Sequence, residues 1–258
     1  MIFLFLFTEI AHPEHVMIIQ VYEIQTPDEA RLMVECGVDH IGGVVLSTEE
    51  WKIPSLKESV RMIREGGRRS SIIPLFAHPE AVYRVIEYYC PDIVHFCDSL
   101  NHGVRVNEKA VAAAIALQEG VSERFPLVEI MRTIPVAPPG LGDHVPTLEL
   151  GRRLEMVSDW FLTDTLLVEA PQPVVGHVGI TGKLCDWEVA RDLVTQSAIP
   201  VILAGGLSPE NVAEGIEMTA PAGVDTCTAT NLLDEEGRPI RFRKDPRKVR
   251  RFVAASRG

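Results

Sequence analysis

The stretch IPVILAGGLSPENV, residues 199–212, ends an apolar run on Gly205 and Gly206 and follows them with Ser208 and Pro209. Glycine lets a backbone turn sharply and approach a ligand closely, Ser208 is a good N-cap, and Pro209 suits the first position of a helix. A helix starting there would offer unpaired N–H groups and a partial positive charge, chemistry that suits a phosphate. The same pair also serves a plain strand-to-helix turn, so it has to be weighed with its surroundings. Other reactive side chains are scattered. Cys97 and Asp98 follow an apolar run containing His95. The thiol reads either as a nucleophile or base or as a small buried hydrophobe, and the imidazole as packed core. His177 stands in a loop before Gly179, where it can meet a substrate. No His, Cys, Asp and Glu cluster has metal-ligand spacing, so no metal is expected.

The elements that must hold these residues alternate with a regular rhythm. Short apolar runs at 16–22, 39–46, 71–77, 92–96, 125–131, 159–164, 199–204 and 222–228 read as strands, with amphipathic helical patterns between them. In TPDEARLMVECG, Thr26 is the N-cap, Pro27 the first position, Glu29 completes a capping box and Gly37 lies past the end. Leu56, Val60 and Ile63 share one helix face, as do Val82, Val85, Ile86 and Tyr89. Eight strand-helix rounds predict an α/β fold of the (β/α)8 TIM barrel class, with its chemistry at the C-terminal ends of the strands. A doubly wound sheet is the alternative, but no G-x-G-x-x-G follows an early strand. The Pro- and Gly-rich stretch at 134–146 reads as a loop or a lid, and the basic run Arg238–Arg251 as the last barrel helix and its lead-in.

At 258 residues the chain suits one barrel domain. Residues 17–258 are expected to form it, with 1–16 an N-terminal extension and Met17 an alternative start. MIFLFLF is apolar but lacks a basic lead and is too short to span a bilayer. A net charge of −11 argues against nucleic acid and anionic membrane as partners and favours a small ligand. Five scattered cysteines point to reduced thiols in a cytoplasmic protein.

Several segments together resemble the phosphoribosylanthranilate isomerase family. GITG (179–182), AGGLSPENV (204–212) and GVDTCTAT (223–230) look like the family's three phosphate turns, with Ile180 and Cys227-Thr228-Ala229 as departures. GITGKLCDW, KDPRKVRRF, IIQVYEIQTPDEA and CGVDHIGGVV are similar to other family segments. The resemblance implies that Gly179, Thr181, Gly182, Gly205, Gly206 and Thr228 bind the phosphate of a phosphorylated small-molecule substrate, and that Arg132 meets an anion. It implies an aldose-ketose (Amadori) isomerisation without cofactor, in a monomer or homodimer, in tryptophan biosynthesis. Such a reaction needs a general acid for the ring oxygen and a general base for the C2 proton. Asp164 stands at the family's acid position and needs a raised pKa to hold its proton. Where the family has its basic cysteine this chain has Tyr22, a weaker base at neutral pH. Glu23 stands where the family has glycine. It can serve as the base only if a bend turns it inward, because neighbours on a strand point to opposite faces. The family's arginine after the second strand is also missing. Another phosphosugar or phosphate-ester enzyme on the same barrel, or a silent phosphometabolite-binding barrel, are the alternatives.

Overall fold

The computed structural model describes residues 17–258, so the segment 1–16 lies outside the described residues. Local signals act where the side chains put them. Thr26 is extended and its Oγ1 accepts the N–H of Glu29, opening α1 (Pro27–Cys36), and Gly37 at φ 86° closes that helix. The strands β1 (Ile18–Val21), β2 (His40–Val45), β3 (Arg69–Pro74) and β4 (Ile93–Phe96) run parallel and adjacent. After a small antiparallel hairpin of β5 (Asn101–His102) and β6 (Arg105–Val106), the sheet continues through β7 (Glu129–Val136), β8 (Trp160–Thr165), β9 (Val201–Leu203) and β10 (Gly223–Thr226). β10 pairs in parallel with β1 and closes the (β/α)8 barrel.

The helices α2 (Pro54–Glu65), α3 (Pro79–Tyr89), α4 (Glu108–Arg124), α5 (Thr147–Leu154), α6 (Trp187–Gln196), α7 (Val212–Thr219) and α8 (Pro246–Arg257) follow along the chain. Leu56, Val60 and Ile63 of α2 and Val82, Val85, Ile86 and Tyr89 of α3 are buried, the faces marked by their spacing. Each such aliphatic side chain contributes about 1.5–3 kcal/mol on burial. Inside the barrel Tyr22, Val44, Ile73, Ile93, Cys97, Met131, Leu162 and Ile202 pack as a second core. No helix among the described residues is long and apolar enough to cross a membrane.

Four expectations need correction. The fifth barrel strand is not 125–131 but Glu129–Val136: Phe125 caps α4, Leu127 is exposed, and the strand continues through Pro135. The Pro-rich stretch at 134–146 therefore begins inside a strand, and it is packed down, with Ala137 and Val145 buried beside Leu166 and Val178. The long irregular segment is instead 166–186, which carries GITG. The helix after Gly206 begins at Val212 rather than at Pro209. Asn211 is its N-cap residue and spends its side chain on the turn before it, bonding the Ser208 N–H at 2.8 Å and the Gly206 carbonyl at 3.2 Å. Finally, the lead-in to the last helix is a hairpin, β11 (Asn231–Leu233) with β12 (Pro239–Lys244), turned at Asp234–Arg238.

Candidate active site

The C-terminal ends of the strands open into two cavities that share Asp164, Ile180, Asp225 and Cys227. The outer one, about 640 Å³ with its open mouth, is walled by Thr181, Gly182, Gly205, Gly206 and Thr228. The inner one, about 560 Å³, reaches Tyr22, Glu23, His95, Cys97 and His177. Gly206, at φ 71°, lies so near the 183–184 peptide that a Cβ would sit 2.6 Å from its carbon and nitrogen. That contact locks the turn after β9 against the GITG loop, which is how two chain segments distant in sequence come to wall one pocket. Gly179 lines neither cavity. At φ 101° it passes directly over the Asp164 carboxyl, where a Cβ would sit 2.1 Å from Oδ2.

Two carboxyls in this space hold protons unusually well. Burial raises the pKa of Asp164 to about 6, against the Thr165 N–H that its Oδ1 accepts at 2.7 Å. Burial, and then the charge of Asp164, raises Asp225 to about 8, although Gln20 and Lys244 oppose the shift. Asp225 Oδ1 is buried without a hydrogen-bond partner, so it is free for a ligand hydroxyl. Sequence reasoning passed over Asp225; a carboxylate midway along a strand buried on both faces was the available signal. It also passed over Lys248, which brings a cation to the outer cavity and whose Nζ donates to the Asn231 carbonyl at 2.8 Å.

Tyr22 and Glu23 both face the inner cavity, by different means. Tyr22 lies across the barrel above Gly42, where a Cβ would meet its ring at 2.1 Å. Its hydroxyl is 2.6 Å from Ser71 Oγ and 2.8 Å from His95 Nδ1, and His95 Nε2 is 2.7 Å from Thr133 Oγ1. Burial pushes the phenol well above its ordinary pKa, Asp225 and Cys97 adding to it against the Ser71 hydrogen bond. The same burial, with the Arg132 charge, drops His95 to about 3, so its imidazole is neutral. Glu23, two residues past the end of β1, has φ 68°, a left-handed conformation that breaks strand alternation and turns its side chain inward. Its Oε1 accepts from Arg241 Nε at 2.7 Å and Nη2 at 2.6 Å.

The other candidates are engaged elsewhere. Arg132 is 1% exposed and lines neither cavity; Nη1 donates to Asp98 Oδ1 at 2.8 Å and Nη2 to the Asp98 carbonyl at 2.6 Å. Burial pushes the Asp98 carboxyl up, but the charge and hydrogen bond of Arg132 outweigh it and hold it below the usual carboxylate range. The Cys97 and Cys227 thiols are each pushed up by burial to about 12, too high to be thiolate at neutral pH. His177 lies in the inner wall and pairs by its backbone with Asp98.

Comparison with known proteins gives these cavities a context. A family model described as N-(5'-phosphoribosyl)anthranilate (PRA) isomerase matches residues 142–255, the part that holds Asp164, Asp225 and the glycine turns. The chain is 30% identical over 242 residues to N-(5'-phosphoribosyl)anthranilate isomerase 2 of Methanosarcina mazei, covering 92% of each protein. It is 39% identical over 130 residues to the isomerase of Methanocella arvoryzae, covering 50% of this chain and 51% of that one. Among solved structures, phosphoribosyl anthranilate isomerase from Thermus thermophilus superposes with a TM-score of 0.65 at 18% identity, covering 93% of this chain and 98% of that one. The enzyme from Pyrococcus furiosus gives 0.63 at 22% with the same coverage, a likeness of fold. With a relative matched almost end to end, the chain belongs to the N-(5'-phosphoribosyl)anthranilate isomerase family.

Proposed function

We propose that this protein is the isomerase of tryptophan biosynthesis that converts phosphoribosylanthranilate to its ketosamine, with Asp164 as general acid and Glu23 as general base. The observation that carries this reading is the sharing of Asp164 and Asp225 between a glycine-walled pocket, suited to a phosphate, and an inner cavity that Glu23 enters. A sugar phosphate anchored at Gly182, Gly205, Gly206 and Thr228, with Thr181 and the Lys248 ammonium beside it, would extend its ribose over the two aspartates. Asp164 gives its proton to the ring oxygen as the C–O bond breaks, and the amine nitrogen's lone pair forms the iminium. Glu23 then takes the C2 proton, and the enolamine becomes the ketone when its C2 hydroxyl returns a proton to Asp164 and C1 receives one from Glu23. Asp225, protonated at neutral pH, donates a hydrogen bond to a ribose hydroxyl.

Tyr22 holds the cavity floor in this scheme. A phenol pushed further from neutrality and tied to Ser71 and His95 is a poor proton acceptor. Arg132, spent on Asp98, holds the strand ends and leaves the phosphate to the glycine turns. The five free cysteines suit a reducing compartment such as the cytoplasm. The test is turnover of phosphoribosylanthranilate followed by loss of anthranilate-type fluorescence. Asp164→Asn and Glu23→Gln should each lower kcat by about 10²- to 10⁴-fold while a phosphorylated product analogue still binds. Wild-type protein without turnover, or either variant at wild-type rate, would remove the assignment.

A further inference from the structure

The hairpin β11–β12 is not part of the barrel sheet, yet it walls the outer cavity and contacts Glu23 of the inner one. Leu233 and Pro239 wall the glycine-lined pocket, and Arg241 reaches across the mouth to Glu23. The base of the hairpin is pinned to the end of β10: Lys244, 4% exposed, donates through Nζ to the Cys227 carbonyl at 2.8 Å and to Asn231 Oδ1 at 2.6 Å. The Asp245 N–H adds a bond to the Thr230 carbonyl at 2.8 Å. A surface hairpin tied this firmly to a catalytic strand end has a fixed reach.

Backbone strain flanks the one contact this hairpin makes with Glu23. Glu23 has φ 68° and Phe242, next to Arg241, has φ 60°, and neither side chain favours the left-handed region. Such residues persist only where their surroundings over-determine them. Here the two strained positions stand on either side of one ion pair, and the Arg241 guanidinium also lies 4.8 Å from the Phe242 ring. The pair is unequal in solvent: the Glu23 side chain is 3% exposed and the Arg241 side chain 41%. Both guanidinium contacts fall on Oε1, so one carboxylate oxygen is fixed by two donors and Oε2 stays outside the ion pair.

We propose that Arg241 is a positioning residue for Glu23, and that the β11–β12 hairpin is thereby an active-site element that aims the base at the bound sugar. The proposal rests on the reading of Glu23 as the base. A glutamate on a flexible side chain loses rate when its oxygen strays from the reacting proton, and a misplacement of about 1 Å can cost about 100-fold. Arg241 acts before substrate arrives, so its loss falls on kcat rather than on binding.

The experiment is steady-state kinetics on phosphoribosylanthranilate for Arg241→Gln, Arg241→Lys, Glu23→Gln and the double variant Glu23→Gln/Arg241→Gln, with thermal melts to establish folding. Arg241→Gln should lower kcat about 10- to 100-fold with KM within about threefold, and Arg241→Lys should recover part of the loss by restoring one charged donor. The double variant should be no slower than Glu23→Gln alone, because a positioning residue has nothing left to position. Should Arg241→Gln not fold, Arg241→Lys carries the test, and wild-type kcat in it overturns the proposal. Wild-type kcat in Arg241→Gln, a rise in KM alone, or an equal further loss in the double variant overturns it too, each with Glu23 still the base. Wild-type kcat in Glu23→Gln removes the base assignment itself, and the proposal with it.

Discussion

Replacing Tyr22 by Phe separates the two candidates at the end of β1 more cleanly than any truncation. The ring stays, so the space above Gly42 remains filled and no void opens in the barrel. What is lost is one hydroxyl with two close partners, Ser71 Oγ at 2.6 Å and His95 Nδ1 at 2.8 Å, and a longer contact to Met131 Sδ at 3.9 Å. Both partners are buried, and each polar group left unpaired in a dry interior costs about 1–3 kcal/mol. A destabilisation of about 2–6 kcal/mol follows, read as a lowered midpoint in urea at unchanged slope. Over most of that range a domain with about 5–15 kcal/mol of stability stays folded. Activity should move little: with Glu23 intact, kcat stays within about threefold of wild type at a temperature where both proteins are folded. Loss of the base itself would cost about 10²- to 10⁴-fold. A stable Tyr22→Phe protein with kcat down a hundredfold would therefore refute the assignment of the base to Glu23. Tyr22→Cys is a poorer experiment, since emptying an aromatic site costs about 3–5 kcal/mol and confounds folding with catalysis.

The remaining expectations concern the acids and the phosphate pocket. Asp164 must be protonated to act, and its pKa of about 6 means that kcat/KM should fall as pH rises above that value; a flat profile from about pH 5.5 to 8 would contradict it. Asp225 has a folded pKa of about 8 against an ordinary 3.8, so the native state binds that proton more tightly than the unfolded chain. The stability this gives is complete below about pH 4 and is lost as pH rises through 8, by up to about 6 kcal/mol. Asp225→Asn should flatten that decline in a series of melts, and an unchanged pH slope would count against the buried acid. Inorganic phosphate should raise the melting temperature of the wild type, and Gly206→Ala, which sets a Cβ against the 183–184 peptide at a positive φ, should abolish that rise. Retention of that rise would show that phosphate sits elsewhere.

Local signals carried the fold a long way. The capping box at Thr26, the helix faces of α2 and α3 and seven of the strand centres could be read directly, because each depends on neighbours along the chain. The fifth strand was misread because its proline-rich C-terminal half looks like a loop, and only pairing with β8 up to Thr165 makes it a strand. The same limit hid the hairpin after β10: its charged residues suit a solvated helix as well as an exposed ladder, and the deciding contacts run to Glu23 and Cys227, distant in sequence. Arg132 shows the limit for sites. The family resemblance suggests an anion for it, and in the fold the anion it meets is the protein's own Asp98.

The end of β1 shows how far a rule of alternation reaches. Two adjacent side chains on a strand cannot both enter one cavity, and on that rule Tyr22 and Glu23 were exclusive choices. The rule holds only while the strand lasts. β1 stops at Val21, Tyr22 keeps the inward direction and spans the barrel, and the left-handed turn at Glu23 swings the next side chain back over it. A glycine would adopt that turn without strain. A glutamate there costs backbone energy on the order of 1 kcal/mol, which the Arg241 ion pair and the buried packing around it must offset. The tyrosine below and the arginine above thus belong to one arrangement: the phenol closes the floor where it cannot take a proton, and the guanidinium holds a carboxylate at a level in the barrel that strand geometry alone would not give it.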